Sequence, residues 1–516
     1  MREENIEIFK LIKCIICTFV WGIVAHAYAF LNLTVSRDSL EALYSSNAES
    51  IWKISIGRVF VPVYRAVVRG FLTSPWLIGV IALLWIGLSV FMIAEIFNID
   101  SNGELLLISG IMTTNLTVTS LAATYMHDFD VDMFALLLAV GAVYLWNKTC
   151  KDFWKGIPLI AIMLGLYQSY FSVAIILIML VIIFELVKGK TFAEVFKSGI
   201  SGILMLFAGG SFYLLLSKAI CWGTQVQEAS SYNSSVKVWE ILNGGLIWKI
   251  AEAYELFWND FFNPISMSSS YFLATINMFL LIYVCGYVVC FLAKRERGIA
   301  EKLLFVILIC LVPLVTNLSY VLSGGILHSL MKYAFWLIYL FVILAMKEFR
   351  LQVYNANMTT KVYRIIFLLI FIIVWNNIPV ANAAYLKKDL ERQQTLTMMT
   401  QVIGEIEKEE GYIDGQTPVA FIGKIYRNSM PGFEMFEGDG SRSGLIGLNE
   451  NYQIKNWRDY RSFFYYMLNR DINICEYDQY AHLLETEEIA DMPVFPAEGY
   501  IKYVDDILVI KMGTDY

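Results

Sequence analysis

The chain has 516 residues, of which 58% are hydrophobic and 16% charged, and its net charge is −7. Soluble domains usually carry about 25% charged residues. The balance therefore excludes a soluble globular enzyme, a disordered chain and a nucleic-acid binder, and it points to a protein that crosses a bilayer many times.

Lys10 and Lys13 stand at the start of the first apolar run, 9–31. No small-residue cleavage site is evident there, so the run reads as a retained span rather than a removed signal. Cys14 and Cys17 within it have CxxC spacing but no second pair, which reads as membrane packing. A polar loop follows at 32–74. In TVSRDSLEALY, Asp38 or Ser36 can cap a helix beginning SLEALY; the alternative is that Asp38 is a functional acid at the end of a span. In GRVFVPVYRAVVRGFLTSP, Arg58, Arg65 and Arg69 fall at i, i+7 and i+11, one helical face. Pro62 marks the start of the regular helix and leaves Arg58 in its lead-in. Such a helix suits the membrane interface. Its guanidiniums can grip a lipid phosphate bidentately or snorkel to ordinary headgroups.

Apolar runs follow at 75–97, 104–124 and 131–147. Between the last two lies Tyr125-Met126-His127-Asp128-Phe129-Asp130-Val131-Asp132, with three carboxylates and one histidine. DxD spacing in an extended segment points two carboxylates the same way. Asp128 and Asp130 are therefore candidate ligands of a divalent cation such as magnesium or manganese, or, with Asp132, of sugar hydroxyls. The alternative is a solvated turn with Asp130 or Asp132 capping the next helix.

The run 157–187 is too long for one upright helix and short for two. Basic loops flank it at 147–156 and 188–198, and two more lie at 294–302 and 347–364. Short basic loops face the cytoplasm, so the run must cross twice, turning outside near Tyr167 and Gln168. Spans at 199–220, 270–293, 303–323, 328–346 and 363–381 complete the series. The expected fold is a polytopic α-helical membrane protein of about eleven spans, with the N-terminus cytoplasmic and the C-terminus extracytoplasmic. Tyr167, Gln168, and His328 and Lys332 near the start of the tenth span, are further polar candidates at the outer face. Trp222, Trp239, Trp248 and Trp258 in the loop 221–269 suit either sugar stacking or an interfacial aromatic belt.

The composition breaks near 383. Residues 1–382 form the transmembrane domain, and 383–516 a small extracytoplasmic α/β domain. The latter holds 13 basic and 23 acidic residues, a net −10 that leaves the remainder at +3. An amphipathic helix is expected from 387 with Leu390, Leu396, Met399, Val402, Ile403 and Ile406 on one side. TPVAFIGKI then reads as a strand, NWRDYRSFFYYMLNRD as a helix, and YIKYVDDILVIKM as a hairpin turning at Asp505-Asp506. Walker A, GxSxG, HExxH and zinc-type Cys/His spacings are absent from the sequence.

The order NLTVSRDSLEALY, SIGRVFVPVYRAVVRG, SPWLIGV, ATYMHDFDVDMFALLLAV, LGLYQSYFS and the terminal MPVFPAEGYIKYVDDILVIKM resembles the GtrII-type bacterial membrane glucosyltransferases over nearly the whole chain. Those enzymes resemble in turn the polytopic GT-C-like transferases that depend on a lipid-linked sugar. The resemblance implies transfer of a hexose, glucosyl by the family's habit, from a polyprenyl-phosphate carrier to a cell-envelope glycan, on the outer face of the bacterial cytoplasmic membrane. It implies an acid in the first outer loop, where Asp38 matches, and another in the second, where Asp128 and Asp130 match. Arg37 departs from the family's HDS or DD pattern, and no role is carried over to it. No metal is carried over either, since related enzymes differ. On this reading Asp38 is the catalytic base. Asp128, Asp130 and Asp132 bind substrate together with Tyr167 and Gln168, and Arg58, Arg65, Arg69 and Lys332 hold the phosphate. The alternatives are a transporter or flippase, or a polymerase, of a lipid-linked glycan.

Overall fold

The computed structural model describes residues 2–33, 39–40, 42–43, 47–148, 150–229, 245–263, 267, 270–323, 327–352, 356–423, 454 and 456–514. The first part is a bundle. Its helices are α1 (Arg2–Leu31), the short α2 (Asn47–Ser55) and α3 (Val61–Val68), α4 (Pro75–Ile96), α5 (Asn102–Thr114), α6 (Leu116–Thr124), α7 (Phe129–Lys148), α8 (Ile157–Leu166), α9 (Phe171–Lys188), α10 (Phe192–Thr224), α11 (Leu246–Phe262), α12 (Tyr271–Ala293), α13 (Ile299–Thr316), α14 (Tyr333–Gln352) and α15 (Ala356–Ile406). Among the described residues, nine helical stretches are long and apolar enough to cross a membrane, which marks a membrane protein. Most of α5 to α7 and of α9 is buried, so these form the middle of the bundle, whereas few residues of α10, α12 and α13 are buried and much of their apolar surface is left uncovered. In water that surface would be a liability; against lipid it is not.

The bundle has two chemically distinct ends. At one, Lys10 pairs with Glu95 and Asp100 at 2.7 and 3.0 Å. There Asn147 reaches the Ile96 carbonyl, Lys347 donates to the Phe97 carbonyl, and Lys188 lies 3.8 Å from Glu348. The run 157–187 does double back. Helix α8 stops at Leu166, Tyr167 is extended, and α9 returns Lys188 to the end that holds Lys10. The break is specific. The Gly165 carbonyl accepts the Phe60 N–H at 2.9 Å, and a Cβ on Gly165 would collide with the Phe60 ring. The first arm has only ten residues, about half of what a crossing needs.

The long α15 runs without interruption past 382 and delivers Met399, Val402 and Ile406 to a second hydrophobic core. That core also holds β1 (Val419–Ile422), α16 (Trp457–Leu468), β2 (Ile501–Val504) and β3 (Ile507–Lys511). The sheet order is β1-β3-β2, with β1 parallel and β2 antiparallel to β3. Asp505 and Asp506 both have positive φ, 49° and 61°, the conformation of a two-residue type I′ hairpin turn. Asn456 and Asp459 form a reciprocal cap on α16. The strand, helix and hairpin expected in the tail thus all form. Leu40, from the first loop, is fully buried in this second core beside Met399 and Phe464.

Candidate active site

Opposite the lysine-rich end, the loop after α1 folds down onto the acidic turn. Helix α2 carries Glu49 and Lys53 one turn apart, and α3 is framed by Arg58 before it and Arg69 just after it. Pro62 in its first turn fixes that start. The acidic segment is a 3₁₀ turn, Met126–Asp128, running straight into α7, so Asp130 and Asp132 occupy the first turn of that helix, where its dipole favours negative charge.

The arginine face and the acidic turn, two separate features of the sequence, prove to be one structure. Asp128 accepts Lys53 and, at 2.7 Å, Arg65; Arg58 stands 3.6 Å away. Arg65 also binds Glu49 at 2.5 Å and the His127 carbonyl at 3.2 Å. Arg69 donates to Asp130 at 2.8 Å and to the His127 carbonyl at 2.6 Å. Arg65 and Arg69 are almost wholly buried, whereas the Arg58 side chain keeps 15% exposure and lies 4.4 Å over the Tyr167 ring. Gln168 joins the same edge through Tyr213, whose hydroxyl donates to the Gly57 carbonyl. Burial pushes the Lys53 ammonium below its ordinary range against the pull of Asp128. Burial acts the same way on Arg65, but Asp128 and Glu49 outweigh it and hold the guanidinium above its usual value. Ion pairs this deep persist only when both partners are present.

Asp38 lies outside the described residues. Its chain neighbour Ser39 donates to the Thr124 carbonyl at 3.0 Å and sits 3.2 Å from His127 Nδ1. Lys332 is set apart: its ammonium pairs at 2.6 Å with Asp260 of α11, both buried. It connects to the cluster through Tyr333, whose ring centroid is 5.7 Å from that of Tyr170. Glu49, Lys53 and Asp260 escaped the sequence reading. The i, i+4 spacing of Glu49 and Lys53 was the available signal for that pair; Asp260 is a lone acid in an aromatic stretch and gave none. Of the loop tryptophans, Trp222 and Trp248 are exposed, Trp258 largely so, and Trp239 lies outside the described residues.

A divalent cation does not fit here. Asp128 and Asp130 do not converge, since one faces Lys53 and Arg65 and the other Arg69. Among the described residues the group spaced for a metal is Glu49, His127 and Asp128. Both carboxylates of that set are already neutralised by Lys53 and Arg65, and a dication would enter among four positive side chains.

A membrane-embedded helical bundle with a buried, charge-compensated polar cluster at one end, tied to a loop that holds a further acid, is the frame of a membrane-bound enzyme. The chain belongs to the glucosyl transferase GtrII family, whose profile matches residues 27–346, well over half of its length and all of the cluster. It is a glycosyltransferase of the glucosyl-transferring kind. No curated protein and no solved structure matches it.

Proposed function

We propose that the protein transfers a glucosyl residue from a polyprenyl-phosphate carrier to a cell-envelope glycan on the outer face of the bacterial cytoplasmic membrane. The observation that carries this is the convergence of Lys53, Arg58, Arg65 and Arg69 on the turn 127–132, at the end of the bundle away from Lys10, Lys188 and Lys347. Lysine-rich loops favour the cytoplasm, so the cluster belongs outside, where a lipid-phosphate sugar needs no nucleotide. The GT-C-like reading with about eleven crossings, a cytoplasmic N-terminus and an extracytoplasmic C-terminus goes with it.

In this mechanism Arg58, the most accessible of the arginines, meets the donor phosphate and stabilises the charge it gains on leaving. Arg65, Arg69 and Lys332 supply the field from behind, each through its carboxylate partner. Asp38 takes the proton of the acceptor hydroxyl as general base. The hydroxyl oxygen attacks the anomeric carbon as the bond to the phosphate oxygen breaks, a single displacement with inversion. Ser39, held by Thr124 and His127, anchors the segment that carries Asp38.

The test is transfer of glucose from a defined polyprenyl-phosphate donor by purified enzyme, with Asp38→Asn and Asp128→Asn variants. Full activity in folded Asp38→Asn would sink the base assignment. A reporter fused after Tyr516 should read as extracytoplasmic.

A further inference from the structure

Helices α9, α11, α12, α13 and α14 enclose a cavity of about 330 Å³, the size of a small-molecule site. Ile176, Met179 and Leu180 line it from α9, and Phe257, Phe261 and Leu280 from α11 and α12. Its polar side chains Asn277, Tyr339 and Tyr254 are already bonded within the protein. Asn277 donates to the Phe261 carbonyl and accepts the Tyr339 hydroxyl, both at 2.9 Å, and the Tyr254 hydroxyl donates to the Cys310 carbonyl at 2.7 Å. A sugar, a phosphate or an ion gains no polar partner from them and loses its hydration on entering, whereas a hydrocarbon chain has nothing to lose. The cavity opens on the lipid side, where Trp258 is 44% exposed and Cys310 is exposed as well.

Two of these walls lead to the polar cluster. Helix α9 begins at Phe171, directly after the turn Gln168–Tyr170 on the edge that holds Arg58 and Tyr167, and ends with Lys188 at the opposite end of the bundle. At 1.5 Å per residue, Ile176 to Ile183 lie about 8–18 Å along it from Phe171, the depth of the hydrocarbon core rather than of the headgroups. Helix α11 carries Asp260 between the cavity-lining Trp258 and Phe261, and Asp260 is the partner of Lys332 at 2.6 Å. A chain whose phosphate meets Arg58 thus starts at the head of α9 and reaches the cavity by following one helix. A polyprenyl chain carries a methyl branch on every isoprene unit, and those branches fill width between the rings that a straight acyl chain leaves empty.

We propose that this cavity holds part of the polyprenyl chain of the donor, so that the enzyme recognises its carrier by the branched chain as well as by the phosphate. The assignment rests on the reading of the arginine edge as the transfer site.

The experiment uses the full-length protein in detergent and two glucose donors, a long polyprenyl phosphate and its short citronellyl analogue, whose chain ends before the cavity. Wild type should favour the long donor by about 10-fold in kcat/KM, a gain of packing, since the chain arrives from an equally apolar micelle. Leu180→Trp and Val284→Trp fill the cavity from α9 and α12. They should bring that ratio to about one without lowering the melting temperature, whereas Val289→Trp, on the exposed face of α12, should leave the ratio unchanged. In parallel, a long polyprenyl phosphate with a diazirine on an early isoprene unit is photo-cross-linked to wild type. The label should fall on Met179, Trp258 or Leu280 and be displaced by unlabelled polyprenyl phosphate but not by phospholipid. Equal use of both donors by wild type, an unchanged ratio in the folded cavity variants, label confined to other helices, or displacement by phospholipid would overturn the assignment. If neither tryptophan variant folds, the label decides. If wild type transfers glucose from neither donor, the transfer reading fails, and the cavity is again decided by where the label falls.

Discussion

Replacing Arg69 by Met tests whether the arginine face is a clamp or a phosphate ligand. Arg69 and Asp130 are both fully buried, and Nε lies 2.8 Å from the carboxylate. At an effective dielectric of about 20, that separation gives roughly 6 kcal/mol of attraction. Desolvation of both ions cancels much of it, but removing one partner leaves the other charged and buried, at about 3–5 kcal/mol. Arg69 also holds the His127 and Leu72 carbonyls at 2.6 and 3.0 Å, so its loss frees the acidic turn as well. The assay is equilibrium unfolding of Arg69→Met, Asp130→Asn and the double variant in detergent. Each single change should cost a few kcal/mol, and the double should cost less than their sum by about 1–3 kcal/mol. Wild-type stability in Arg69→Met with only a raised donor KM would refute the clamp and return Arg69 to the phosphate.

Leu40→Ala removes a fully buried side chain from the second core, and should cost about 2–5 kcal/mol and reduce transfer, because Ser39 beside it anchors the loop. Limited proteolysis and the transfer assay check both effects. Asp506→Gly relieves a positive φ of 61° and should stabilise the hairpin by about 0.5–1 kcal/mol, whereas Asp506→Val should destabilise it; thermal unfolding reads the difference. Cys475 is buried and its thiol is pushed up by that burial. Maleimide labelling at pH 8 should therefore be slow until the protein unfolds. The unfolded thiol ionises first, so this residue's contribution to stability should fall as the pH rises through the ordinary thiol range. EDTA should leave transfer unchanged, since Glu49 and Asp128 are already neutralised; loss of activity restored by magnesium would show otherwise.

The bundle was legible because lipid imposes length and polarity on every span, and the turn at Tyr167 followed from lysines alone. The tail's strand, helix and hairpin were legible from alternation and from the Asp-Asp turn. The pairing of the arginines with the acids was not. Each segment read separately suggested a ligand of its own, phosphate for Arg58, Arg65 and Arg69, a metal or sugar hydroxyls for Asp128 and Asp130. Neither reading foresaw that the opposite charges would be brought into contact over some sixty positions of sequence. Periodicity describes one helix at a time, and a cross-segment ion pair leaves no periodic trace.

That coupling changes which residues are available for chemistry. A buried carboxylate that neutralises an arginine, as Asp128 and Asp130 do, acts as an electrostatic support rather than as a free ligand. The same logic extends to the first loop. Ser39 faces the acidic turn while Leu40, the next residue, is sealed in the core built by the end of α15 and the C-terminal sheet. Adjacent side chains thus pin the loop from opposite sides, one to the bundle and one to the tail. A tail that serves only as a separate acceptor-binding module would have no reason to bury Leu40. Its contact with the residue next to Ser39 makes it a structural support of the loop packed on the acidic turn, so losses of packing in the tail should appear as losses of transfer.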